Sequence, residues 1–203
     1  MTTLNTEVGE VGETDAAAKR DVQMQRIYAA IGRFVVEYEN AVYMLRVLAW
    51  FTLDLINKPL GQRLAQVVAA ELSNRALREV TLVAILERYA PNDDDAKLIK
   101  KVFQKMDRLE QDQRNPIVHS TWFIGYGNEA TTDWDEAVPL RMRVRNGELR
   151  IGGDSRTAED FEAVTNEALE IGAMLQYVHG CLLIGVPVAA KLRLDPQGQV
   201  CRV

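Results

Sequence analysis

Three side chains able to handle a phosphodiester stand within six residues of one another, Arg114, Asn115 and His119, in the stretch RNPIVH. Histidine gives and takes protons near neutral pH. Arginine offers a fixed fork of donors that matches phosphate oxygens. Asparagine can hold an imidazole tautomer or a phosphate oxygen. Cleavage of RNA by its own 2′-hydroxyl asks for a proton removed, charge on phosphorus stabilised and a leaving 5′-oxygen protonated, and it needs no metal ion.

The spacing has to be reconciled with a helix. In an unbroken α-helix, residues five apart point about 140° away from each other. Arg114 and His119 then could not meet on one small group. Pro116 disfavours a helical Asn115, so the sequence predicts that the preceding helix stops near Gln113 or Arg114. Asn115 and Pro116 would serve as N-cap and first residue of a new turn. Asn115 and His119 would then lie about one turn apart on the same side, with Arg114 swinging towards them.

The elements that must hold these residues are helical. Ile27, Ile31, Phe34, Val35, Tyr38, Val42, Leu45 and Ala49 share one face of a long helix from about Asp21 to Ile56, ended by Asn57, Pro59 and Gly61. A short helix is expected over 62–71. Ser73 or Asn74 caps the next, whose stripe is Leu77, Val80, Ala84 and Ile85. The NDDD stretch opens the third long helix, with Ile99, Val102, Phe103, Met106 and Leu109 inward. The period then changes. WFIGY reads as a strand, and Asn146-Gly147 is a two-residue hairpin signal inside an alternating run. Thr157 and Asp160 resemble a capping box. They open a last long helix over 158–184, with Phe161, Val164, Ala168, Ile171, Leu175 and Val178 on one side. The predicted fold is mainly all-α, an antiparallel bundle of four main helices over residues 21–185. A small antiparallel β insertion at 122–152 separates the third and fourth long helices. Residues 1–20 are expected to be a disordered tail, and 186–203 a C-terminal tail with a short hairpin around DPQG.

Arginine, a polar asparagine and then histidine after four intervening residues resembles the Rx4–6H motif of HEPN domains. These are α-helical bundles found in toxin–antitoxin systems, phage-exclusion proteins and CRISPR-associated ribonucleases. The motif at the end of the third long helix is similar to the family's layout. The resemblance implies a metal-independent endoribonuclease acting on RNA, with Arg114, Asn115 and His119 at its centre. It also implies a homodimer whose motifs face one shared cleft, a toxin–antitoxin or antiviral setting, and a possible antitoxin protein as partner. Family members often carry an acid in an early helix; Glu39 is the candidate here, with Glu37 close behind. Some HEPN domains are binding modules, so a non-catalytic helical module for a protein or nucleotide partner is the second reading. A small-molecule-binding bundle is a third.

Other features add less. Arg141, Arg143, Arg145 and Arg150 lie on the hairpin, whose register would pair Arg145 with Glu148 and Arg143 with Arg150. They form either an RNA-contacting ribbon or a solvated edge that discourages sheet-to-sheet pairing. Trp122, Phe123 and Tyr126 could stack bases, but packing of the first strand is the expected role. His179 has no arginine at motif spacing and is expected to be structural. With two histidines and no Glu-x-x-His or close cysteine pair, no metal site is expected. No phosphate loop or serine-nucleophile elbow is present, and no cofactor is called for. Net charge is −5, which argues against a general nucleic-acid coat while permitting a local basic site. Cys181 should be a buried thiol, and a cytoplasmic, disulfide-free setting with no membrane span is expected.

Overall fold

The computed structural model of the chain describes residues 8–53, 59–125, 134–140, 142–145, 148–151 and 154–203. The helices are α1 (Val8–Thr52), α2 (Pro59–Glu71), α3 (Asn74–Tyr89) and α4 (Asp93–Arg108), then a π-helical turn (Leu109–Arg114) and α5 (Asn115–Val118). The strands β1 (Thr121–Ile124), β2 (Glu136–Leu140), β3 (Met142–Arg145), β4 (Glu148–Ile151) and β5 (Arg156–Thr157) precede α6 (Ala158–Ile184). A 3-10 turn (Val188–Ala190), β6 (Leu192–Leu194) and β7 (Val200–Arg202) complete the chain. It is mainly helical with small antiparallel ladders, as the periodicity predicts. The first helix starts earlier than expected. It runs from Val8, so residues 8–20 are helical rather than a disordered tail. Once a helix has nucleated, alanine, glutamate and lysine in GETDAAAKR extend it cheaply.

The chain divides into two compact units, one of residues 35–115 and 164–203, the other of 1–34 and 116–163. In the first unit, Ile99, Val102, Phe103, Met106 and Leu109 are buried as their spacing predicts, as are Ala168, Ile171, Leu175 and Val178 of α6. The long helices do not simply alternate in direction. Tyr38 meets Asn74 and Thr52 meets Arg88, so α1 and α3 run the same way. Phe51 packs edge-on against His179 with ring centroids 5.0 Å apart, and a methyl built on Gly172 would touch Ala41 at 3.7 Å, so α6 runs with them too. Lys105 pairs with Glu170, and Asp95 meets Ala189 beyond the end of α6, so α4 opposes α6. The short α2 returns the chain between α1 and α3.

The predicted caps form. Ser73 Oγ accepts from Ala76 N–H, and Asn92 Oδ1 accepts from Asp95 N–H at 2.8 Å. The α3 stripe differs. Leu77, Arg78, Thr81 and Ile85 are buried, while Val80 stays 39% exposed. The helix turned its polar Arg78 inward because two carboxylates wait for it. Asp95, also buried, accepts from Ala189 N–H at 2.8 Å and ties down the C-terminal segment. There β6 and β7 form the expected hairpin, with Asp195 Oδ1 accepting from Gln197 and Gln199. Burial pushes the imidazole of His179 below its usual range and the thiol of Cys181 above its own, consistent with structural roles.

In the second unit, β1, β2 and β5 form one antiparallel sheet. Trp122 packs edge-on against Phe161 with ring centroids 5.1 Å apart, and its Nε1–H donates to the Ile117 carbonyl at 2.8 Å, which is the packing role. Phe123 remains exposed; Tyr126 lies outside the described residues. Thr157 and Asp160 form the capping box, Thr157 N–H donating to Asp160 Oδ2 at 2.9 Å and Asp160 N–H to Thr157 Oγ1 at 3.3 Å. Gln23 reaches Asp135, and Arg26 pairs with Glu159. Gly125 has φ +70°, and the Trp134 ring occupies the space a Cβ would need. Gly125→Ala combines a left-handed backbone with a collision, so it should lower stability by about 2–4 kcal/mol. A urea unfolding curve measures this directly.

Candidate functional site

The chain does not break at Asn115. Asn115 has φ −65° and ψ −43°, and its N–H donates to the Glu110 carbonyl, five residues back. Helix α4 therefore widens into a π-helical turn and continues through Pro116 into α5. The expected N-cap at Asn115 is corrected. In a regular α-helix the proline ring would press on the Asp112 carbonyl. The widened turn accommodates it without ending the helix, and such turns recur at functional sites.

Arg114 closes that turn. Its Nη1–H donates to Asn115 Oδ1 at 3.3 Å, and its Nη2 lies 3.8 Å from Glu39 Oε1. Its guanidinium carbon lies 5.7 Å from the Tyr38 ring centroid, a cation–π arrangement. The structure thus brings Arg114, Asn115 and Glu39 together. Glu37 instead accepts from Asn40 Nδ2, one face away. The side chain of Arg114 is 23% exposed, so it is held at the surface rather than sealed. His119 follows α5 in the other unit, at a turn, with its side chain exposed.

Beneath Arg114 lies an ionic cluster that the sequence reading missed. The side chain of Arg78, 6% exposed, donates to Asp107 Oδ1 at 2.6 Å and pairs with Glu110. Gln111 Nε2 donates to the other oxygen of Asp107 at 2.7 Å. Tyr38, 1% exposed, accepts at its hydroxyl from Asn74 Nδ2 at 3.4 Å. Burial first, and the nearby Glu110 second, raise its phenol well above the usual tyrosine range, so it stays neutral. Glu110 joins the two layers, since its carboxylate takes Arg78 and its carbonyl takes Asn115 N–H. One sequence signal was available: Arg78, Thr81 and Ile85 share a helical face with Leu77.

The hairpin arginines are placed by backbone alone. Arg145 pairs with Glu148 and Arg143 with Arg150, the register that the turn signal predicts. Arg141, Asn146 and Gly147 lie outside the described residues. Among the described residues, no group of three or more His, Cys, Asp or Glu side chains is arranged to hold a metal ion, and no helix is long and apolar enough to cross a membrane. No protein-family model matches the chain, and no curated protein or solved structure matches it.

Proposed function

We propose that this chain is a HEPN-type endoribonuclease that cleaves RNA through the 2′-hydroxyl without a metal ion. The observation carrying this reading is a guanidinium held by Asn115, Glu39 and Tyr38 at a π-helical turn, five residues before an exposed histidine. In this reading His119 is the general acid and base. Arg114 stabilises charge on the transferring phosphoryl group, while Asn115 and Glu39 fix the direction of its fork. An imidazole open to solvent can meet a phosphodiester arriving from outside, and a guanidinium with part of its surface exposed can do the same. The four-helix HEPN architecture, a homodimer with a composite site, an antitoxin protein as partner and a cytoplasmic toxin–antitoxin or phage-defence setting belong to the same proposal.

The test is incubation of the purified chain with bulk RNA in the presence of a chelator. Fragments ending in 2′,3′-cyclic phosphate are expected, at a rate unchanged by chelation. RNA that stays intact would reject the enzyme and leave a non-catalytic module that binds a protein or nucleotide partner.

A further inference from the structure

The outward side of α4 carries positive charge that the proposed chemistry does not use. Lys97, Lys100, Lys101, Gln104 and Arg108 recur at helical spacing, with Asp93 on the same arc. At about 100° per residue they fall within an arc of about 100°. All are exposed except Lys101, which is half-buried. Among the described residues none of the four cations makes an ion pair. Asp93 and Asp94, close to Lys97, and Asp112, four residues after Arg108, are exposed, whereas the other acids of the segment are engaged elsewhere. Asp107 and Glu110 are drawn to Arg78, and Asp95 is buried against Ala189. The remaining lysine of the helix, Lys105, is already paired with Glu170. Lys97 stands three and four residues from Lys100 and Lys101, where like charges oppose helix formation. In a chain of net charge −5, this face is a local inversion of sign.

A groove of about 460 Å³ runs beside it between α3 and α4, lined by Lys100, Gln104 and Gln111, by Leu82 and Phe103, and by the ion pairs Arg75–Glu79 and Arg78–Asp107. Amides can pair with base edges, and apolar side chains can face a base. From Lys97 to Arg108 the helix rises about 16 Å, the length of about five stacked nucleotides at 3.4 Å each. Three of the four cations are lysines, point charges suited to a phosphate backbone rather than forks for carboxylates. We propose that single-stranded RNA lies along this face of α4, with its phosphates on Lys97, Lys100, Lys101 and Arg108 and a base in the α3–α4 groove. Arg114 reaches Glu39 and Tyr38 of α1 and does not line this groove, which shares Arg78, Asp107 and Gln111 with the ionic cluster beneath it. The inference rests on RNA being the substrate, and concerns where the strand is held rather than how it is cut.

The test uses the full chain carrying His119→Ala, so that RNA stays whole, and a fluorescein-labelled oligouridine read by anisotropy across a salt series. Each phosphate contact contributes about 0.7 to the slope of log affinity against log salt. K97Q/K100Q/K101Q/R108Q should therefore flatten the slope by about 3 and weaken low-salt binding at least tenfold, with an unchanged melting curve as the folding control. Gln104→Ala with Gln111→Ala should weaken binding without changing the slope. Unchanged slope and affinity in the quadruple variant would overturn the proposal, as would loss appearing only in R143Q/R145Q/R150Q. Oligoglutamate of equal length binding as tightly as the RNA would overturn it in favour of an acidic protein partner. Cleavage is scored separately on the wild-type chain. RNA binding that follows the stripe, with no cleavage, removes the enzyme reading and leaves this one standing.

Discussion

Arg78→Ala should lower the unfolding free energy by about 3 kcal/mol, the low end for removing one partner of a buried ion pair. Arg78 is the only described cation that reaches both Asp107 and Glu110. Its loss leaves Glu110, whose side chain is 16% exposed, as a carboxylate with little water around it. Asp107 is 42% exposed and rehydrates, which is why the low end applies. A companion variant separates charge from packing. Arg78→Met with Glu110→Leu removes both charges of the better-buried pair and keeps the volume, so it should recover most of the loss. Chemical denaturation of the two variants beside the wild type measures both. A loss below about 1 kcal/mol for Arg78→Ala would mean that water already shares the pair. The effect should also reach the site. Glu110 supplies the carbonyl that closes the π-helical turn on Asn115, so Arg78→Ala should reduce the proposed RNA cleavage as well.

His119→Ala should reduce the proposed RNA cleavage by about 10²–10⁴-fold, the usual contribution of a positioned acid or base. Its side chain is exposed, so the far-ultraviolet circular dichroism and the unfolding midpoint should stay within error of wild type. The contrast with Arg78 is diagnostic, since one change lowers stability first and the other lowers activity alone. Cleavage within tenfold of wild type in His119→Ala would remove this imidazole from the chemistry. Arg114→Lys distinguishes the guanidinium from its charge. A lysine keeps the positive charge but cannot hold Asn115, Glu39 and a phosphate oxygen with one planar fork.

Neighbouring residues determined much of this protein. Ser73, Asn92 and Thr157 cap their helices because the groups they bond lie three residues away. The inward faces of α4 and α6 follow from apolar spacing alone. The pairing of Arg143 with Arg150 is the register that the Asn146-Gly147 signal in the sequence predicts. The order of Arg114, Asn115 and His119 is likewise plain in the chain. The tertiary structure decided the rest. Arg78 is buried and Val80 of the expected stripe exposed, because the partners of Arg78 lie 29 and 32 residues further along. Glu39 rather than Glu37 meets Arg114 because α1 presents that face to the turn. The helix passes through Asn115 and Pro116 instead of ending there, through the bond to the Glu110 carbonyl. Local rules price a proline or a buried charge on its own, whereas a partner brought in from a distant segment can reverse the sign of that cost.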